Sequence, residues 1–384
     1  MNKNDTIKQT IKNTKERRKN MACRVYEVKV TANKLSKEKK EHFNELFKEA
    51  KWLRNAVLAS DDIFAFDRDT KTVTVKKGEE FEERTLCVIG SQMKQDIVDS
   101  VKNEIRGLAT KKAKGEKVGR LKFKSYCNSI PLRQFGTTYR VDTENSTISM
   151  QGLKKAINVQ GLSQIPDNAE YANAKLVRKP SGLYIHITTY SDREEVEAVG
   201  VAVGIDFGIK TSMTLNTAEE INISIPETKS VKYNSKKVNK ALVKNGRKKG
   251  NNHRKRVHHL QKAYEKQTNM KKDIAKKEVS KLLRKNDFIA IQDEMIANWH
   301  KGLFGKQVQH SAMGFIKARL KTSPKTHVVP REFPSTQQCP ICGQNTKHPL
   351  EVRHYECAYC GYYHPSRDVK SAEMILMEAI RLNC

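Results

Sequence analysis

Two periods of apolar spacing alternate along the chain. Arg24-Val25-Tyr26-Glu27-Val28-Lys29-Val30 alternates polar and apolar residues with period two, which predicts a strand. Phe43, Leu46, Phe47, Ala50, Leu53 and Val57 then fall at helical spacing, with Lys and Glu on the opposite face. Residues 79–108 read as a second helical section interrupted at Gly90, and 110–117, rich in Lys and Gly, as a mobile linker. Strands are expected again at 120–124, 138–141, 147–150, 174–177 and 183–188. That order predicts a β-barrel-like domain with helices inserted between its first and second strands.

The pattern changes near Val199. Val199-Gly200-Val201-Ala202-Val203-Gly204-Ile205-Asp206 is apolar on both faces, as expected of a central strand in a sheet covered by helices. Residues 211–216 and 220–225 can return as antiparallel second and third strands, and 236–285 read as a long basic helical region. Phe288-Ile289-Ala290-Ile291-Gln292 is a second buried strand, and 326–329 another short one. Between them Val308, Ala312, Phe315, Ile316 and Leu320 fall at helical spacing. A closing helix carries Ala372, Ile375, Leu376 and Ala379 on one face. The whole predicts a multidomain chain, α+β first and α/β second.

Charge narrows the class of partner. The chain of 384 residues has 73 Lys and Arg against 43 Asp and Glu, a net +30. Such a surplus calls for a polyanion, bound in a salt-dependent way through counterion release. Between residues 229 and 285 there are 21 Lys and Arg against three acids, Glu265, Asp273 and Glu278, too few for helical ion pairs to absorb. Aromatic residues there are sparse, so stacking is not expected to dominate. No apolar run approaches the ~20 residues of a membrane helix. Residues 1–23 are polar and basic, which reads as a disordered leader and not as a signal peptide.

Four of the eight cysteines form Cys339-Pro340-Ile341-Cys342-Gly343 and Cys357-Ala358-Tyr359-Cys360-Gly361. Two Cys-x-x-Cys knuckles offer four thiolates to one tetrahedral Zn²⁺, and the glycine after each second cysteine lets the backbone turn. Cys23, Cys87, Cys127 and Cys384 are scattered, which fits a reducing compartment. Three acids also stand out. Asp206 lies in the first buried strand, Glu294 follows the second, and Asp368 opens the last helix. An unpaired carboxylate inside a buried strand is costly, and a divalent cation is one compensation. Asp293 follows the same strand as Glu294 and rivals it. Asp368 could equally serve its helix N-terminus, and Trp299 reads as core before it reads as a base platform.

Gly204-Ile205-Asp206-Phe207-Gly208-Ile209-Lys210 resembles the first motif of the RuvC-type nucleases of the RNase H-like fold. Ile289-Ala290-Ile291-Gln292-Asp293-Glu294-Met295-Ile296, followed by Trp299-His300, resembles the second, and Ser366-Arg367-Asp368-Val369-Lys370-Ser371-Ala372 the third. A Cys₄ ribbon between the second and third motifs is similar to the TnpB (OrfB) proteins of insertion sequences, relatives of compact type V CRISPR effectors. Gly119-Arg120-Leu121-Lys122-Phe123-Lys124-Ser125 and Ser129-Ile130-Pro131-Leu132 resemble that family's wedge region.

The resemblance implies an RNA-guided DNA endonuclease. Its expected parts are a basic leader (1–23), a wedge-like β-barrel domain (24–34 and 119–195) and a helical recognition insertion (35–118). A RuvC-like nuclease domain (199–334 and 362–384) follows, with a zinc ribbon (335–361) inserted in it. Asp206, Glu294 and Asp368 carry over as Mg²⁺ ligands, and Cys339, Cys342, Cys357 and Cys360 as Zn²⁺ ligands. The implied partners are a guide RNA, target double-stranded DNA and its displaced single strand, with no membrane, in a bacterial cytoplasm at the nucleoid. Lys370-Ser371 departs from the Asn-Ala commoner in the family at the third motif. The alternatives are a nuclease-silent RNA-guided DNA-binding regulator, a compact type V effector, and a transposase that breaks and joins strands itself. The intact acidic set, the short length without large helical inserts, and the absence of a His-rich metal pair with a partnered Tyr weigh against them in turn.

Overall fold

The computed structural model describes residues 3–193, 200–244, 250–349 and 351–383. They fall into two compact units, Met1–Glu195 and Val196–Cys384.

The first unit runs α1 (Lys3–Lys19), β1 (Ala22–Val30), α2 (Lys37–Ala59), β2 (Thr72–Lys77), β3 (Glu80–Thr85), α3 (Ser91–Ala113) and β4 (Ser129–Leu132). It continues through β5 (Tyr139–Asp142), β6 (Thr147–Met150), β7 (Ile157–Gln160), β8 (Glu170–Lys179) and β9 (Gly182–Ser191). Seven strands form one sheet in the order β4-β8-β9-β1-β7-β6-β5, with every neighbouring pair antiparallel. The ladder ends at β4 and β5 and does not close on itself among the described residues. The core of the unit is built by the apolar stripe of α2, from Phe43 to Val57, together with Met93, Ile97, Val98 and Val101 of α3.

Several local expectations differ from the structure. Residues 1–23 are not a disordered leader throughout, because α1 occupies 3–19. The guanidinium groups of Arg17 and Arg18 meet Glu170 at 2.8 and 2.6 Å, and Arg18 lies 4.5 Å from the Tyr190 ring centre, which offsets the crowded positive charge. Residues 80–85 are a strand of the β2–β3 hairpin, so the helix expected from 79 begins at Ser91. That hairpin turns at Gly78, whose φ of +66° few other residues tolerate. The helix also runs on to Ala113, into the stretch read as a linker.

The strand expected at 120–124 does not form. The Asn55 carboxamide takes the place of a ladder partner, donating to Lys124 O at 2.8 Å and accepting from Lys124 N at 2.9 Å. β4 and β7, four residues each, were not expected from the pattern. β4 tolerates Pro131 because it is an edge strand, where one missing N–H is harmless.

The second unit contains β10 (Ala202–Phe207), β11 (Met213–Leu215), β12 (Glu220–Ile221), α4 (Lys229–Lys244), α5 (Asn251–Lys285) and β13 (Phe288–Gln292). Then come α6 (Ile296–Trp299), α7 (Gly305–His310), α8 (Met313–Leu320), β14 (Thr326–Val329), β15 (Tyr355–Glu356), β16 (Tyr363–His364) and α9 (Arg367–Asn383). Val199, the first residue of the expected central strand, lies outside the described residues. The sheet order is β12-β11-β10-β13-β14, antiparallel from β12 to β10 and parallel from β10 through β13 to β14.

Alternation sorts the two faces of this sheet. Val203, Ile205, Phe207, Ile289 and Ile291 enter a core with Ala275, Val279 and Leu282 of α5 and Ile316 and Leu320 of α8. Ala290 and Val329 pack on the other side with Ile375 and Ala379 of α9. Gly204 allows that close approach, since a Cβ there would stand 2.0 Å from Ala372 O. Asp206, two residues along the same strand, therefore faces α9 as well.

Candidate active site and cysteine cluster

A cavity of about 820 Å³ opens in the second unit, and Asp206, Glu294 and Asp368 all line it. Asp206 comes from β10 and Glu294 from the turn after β13. Asp368 is the second residue of α9. Burial, and the neighbouring charges of Glu294 and Asp368, hold the Asp206 carboxyl well above the usual range for aspartate. Its Oδ1 accepts from the Ser371 hydroxyl at 3.2 Å. Burial likewise pushes Glu294 up to about 7, and its Oε2 is buried with no hydrogen-bond partner among the described residues. Asp368 is more open and has Arg353 Nη1 at 3.7 Å from its Oδ2.

Asp293, the rival of Glu294, is otherwise engaged. Its carboxylate pairs with Lys321 and stands 3.7 Å from Lys317 Nζ, and the Lys321 hydrogen bond holds it below the usual range. Lys317, itself buried, also donates to Glu294 O at 2.5 Å and so anchors the turn that presents Glu294. Apolar and cationic groups complete the cavity wall. Trp299 packs partly on the core, as its sequence context suggested, but also lines the cavity beside the exposed Phe304. Arg367 is buried, and its Nε lacks a partner among the described residues.

The four ribbon sulfurs all lie within 4.8 Å of one another, the spacing of ligands to a single metal ion. Cys339 and Cys360 are 3.6 Å apart and Cys342 and Cys357 3.5 Å, far beyond the ~2.05 Å of a disulfide. The two knuckles repeat one design. Gly343 N donates to Cys339 O and Gly361 N to Cys357 O, each at 3.0 Å, with φ of +73° at both glycines. Among the described residues the three carboxylates do not converge as tightly as the cysteines.

Sequence reasoning missed the groups that join the two sites. Lys370 is wholly buried, donates from Nζ to Ser335 O at 3.0 Å and lies 4.0 Å from the Tyr355 ring centre. Burial pushes its ammonium down to about 8, against the pull of the Cys339 and Cys357 thiolates. The departure at Lys370-Ser371 was the only signal, and nothing marked Ser335. The basic region is two helices, α4 and α5, with residues 245–249 outside the described set. α5 buries Gln267, Lys271, Ala275, Val279 and Leu282 and exposes Lys255, Lys262 and Lys266.

Comparison with known proteins divides at these same features. Residues 185–301, which carry β10, Glu294 and Trp299, match the OrfB_IS605 family model, described as "Probable transposase". Residues 316–375, which carry the four cysteines and Asp368, match the model of the "Cas12f1-like, TNB domain". A transposon-type protein with a cysteine ribbon set into its second half is the class these matches define. These matches and one curated relative support a member of the TnpB (OrfB) family. A curated protein of Streptomyces pristinaespiralis, described as "Putative RNA-guided DNA endonuclease", is 26% identical over 242 residues, 60% of this chain and 59% of that protein. No helix among the described residues is long and apolar enough to cross a membrane.

Proposed function

We propose that this chain is an RNA-guided DNA endonuclease encoded by a transposable element, cutting target DNA beside a short motif with Asp206, Glu294 and Asp368 as ligands of two Mg²⁺ ions. One observation carries the reading: three carboxylates from separate elements line one cavity, where Glu294 keeps a buried oxygen without a partner among the described residues. Such groups are costly to hold charged, and cations would offset the cost. The sheet, antiparallel on one side of β10 and parallel on the other, supports an RNase H-like (RuvC) nuclease domain. The seven-stranded sheet interrupted by α2, the β2–β3 hairpin and α3 supports a wedge-like domain with a recognition insertion.

Bound ions of this kind activate a water and stabilise the leaving oxygen of a phosphodiester. The chain's own residues orient the strand. Arg353 and Arg367 offer cationic hydrogen-bond donors for phosphate beside Asp368, and Trp299 and Phe304 give the same cavity an apolar wall suited to a base. One such site cuts the two strands in turn and so needs each single-stranded. Exposed lysines of α5 fit the phosphates of the heteroduplex or the displaced strand. Zinc is the metal we assign to the ribbon. Four thiolates at ~2.3 Å from Zn²⁺ stand about 3.8 Å apart, close to the 3.5 and 3.6 Å found. The cytoplasm, at the nucleoid, is the compartment that agrees with these partners.

The test exchanges the guide's pairing segment while keeping its scaffold. Cleavage should move to the newly complementary DNA when the adjacent motif is present, because base pairing selects the sequence. Cleavage that stays at the original DNA, or proceeds equally without RNA, would mean that the protein reads DNA directly.

A further inference from the structure

A chain of buried polar groups runs from the root of the cysteine ribbon to Asp206. It begins at Gln292, the last residue of β13, whose Nε2 donates to the carbonyls of Pro330, Arg331 and Phe333 at 3.2, 3.2 and 2.6 Å. Those three acceptors fix the carboxamide's orientation and leave Oε1 to accept. Ser335 Oγ lies 2.9 Å from that Oε1. A carboxamide oxygen carries no hydrogen, so the one hydroxyl hydrogen of Ser335 points there. Toward Ser371 Oγ, at 3.1 Å, Ser335 can therefore only accept.

Ser371 is left with one hydrogen and two acceptors, Ser335 Oγ and Asp206 Oδ1. Ionised, as a cation ligand must be, the Asp206 carboxylate is the stronger acceptor, so the hydrogen turns to it and none then lies between the Ser335 and Ser371 hydroxyls. Ser335 is also held through its backbone, where its carbonyl accepts from Lys370 Nζ. Gln292, Ser335, Lys370 and Ser371 are all buried, Lys370 and Ser371 completely, so bulk water does not compete for these bonds.

We propose that Ser371 is a positioning residue for Asp206: its one hydrogen goes to Oδ1, while Ser335, committed to Gln292, offers it only a competing acceptor. Holding Oδ1 selects the rotation of the carboxylate about its Cβ–Cγ bond, and with it the direction in which negative charge meets a cation. The proposal rests on the reading of Asp206 as a cation ligand, and its test separates the two.

Mn²⁺ is titrated into the full-length chain freed of nucleic acid, and free Mn²⁺ is read by electron paramagnetic resonance beside the thermal midpoint of each variant. Ser371→Ala removes the donor without adding volume. It should bind Mn²⁺ roughly tenfold more weakly, as for other groups that orient a metal ligand, with its thermal midpoint unchanged. Ser335→Ala, which removes only the competing acceptor, should bind Mn²⁺ no more weakly than the wild type, and the double variant should match Ser371→Ala. A lower midpoint with wild-type Mn²⁺ affinity would reduce Ser371 to a packing role and overturn the proposal. Asp206→Ala serves as the reference. If it binds Mn²⁺ as the wild type does, the cation site itself fails, and if it abolishes binding while Ser371→Ala does not weaken it, only the positioning role fails.

Discussion

At the scale of single residues, Glu294 and Asp293 are neighbours in sequence with opposite surroundings. Lys321 and Lys317 surround Asp293, whereas Glu294 lines the cavity and keeps a buried oxygen without a partner among the described residues. Glu294→Ala should therefore abolish cleavage while guided DNA binding persists, and Asp293→Ala should still cut. Electrophoretic assays of cleavage and binding on one guided substrate would check this, and the opposite pattern would move the role to Asp293. Glu294 also makes stability depend on pH. The unfolded chain ionises it near 4.5 and the fold only at about 7, so the folded state holds more protons in that window and loses stability as pH rises through it. The gap is worth up to about 3 kcal/mol. In buffer free of divalent ions, Glu294→Gln should flatten this decline and raise the thermal midpoint at pH 8, and an unaltered decline would count against Glu294 as its source. Asp206 was legible in the sequence because a carboxylate within an apolar strand is conspicuous. Ser335 was not, because its role depends on Gln292 and Ser371, which only folding brings together.

At the scale of elements, the apolar run of β10 and the helical spacing of α9 were legible because the strand is covered on both faces and the helix buries one continuous stripe. The short strands β4 and β7 were not, and neither was the β2–β3 hairpin, where charged residues crowd both strands. α1 was missed for another reason: Glu170 and Tyr190, the partners that relieve its charge, lie more than 150 residues away in sequence and leave no local trace. The ribbon's knuckles were legible from spacing and glycine alone. Purified protein should hold one tightly bound Zn²⁺ per chain, and Cys357→Ala should lose it together with cleavage, since Tyr355 and Lys370 tie the ribbon to α9. Elemental analysis beside a cleavage assay checks both. Active protein without zinc would overturn the assignment.

At the scale of the whole molecule, charge was the plainest property of the sequence, yet composition alone did not say which lysines face solvent. Lys271 of α5 is buried on Gln309 O, while Lys255, Lys262 and Lys266 are exposed. Replacing those three with Gln should weaken binding to guided DNA and lower the slope of log affinity against log salt by about 2 to 3, near one phosphate contact per lysine. Binding isotherms at several salt concentrations would measure this, and an unchanged slope would take α5 out of the nucleic-acid surface. The threading of the chain has a further consequence, in time. β1 lies between β7 and β9, and Asp206 faces a helix that begins at Arg367. Ribosomes deliver these partners more than a hundred residues apart. The nascent chain thus carries Asp206 well before it carries Asp368 or Ser371, and a product of early termination, however well its first unit folds, would reach the cell already disarmed.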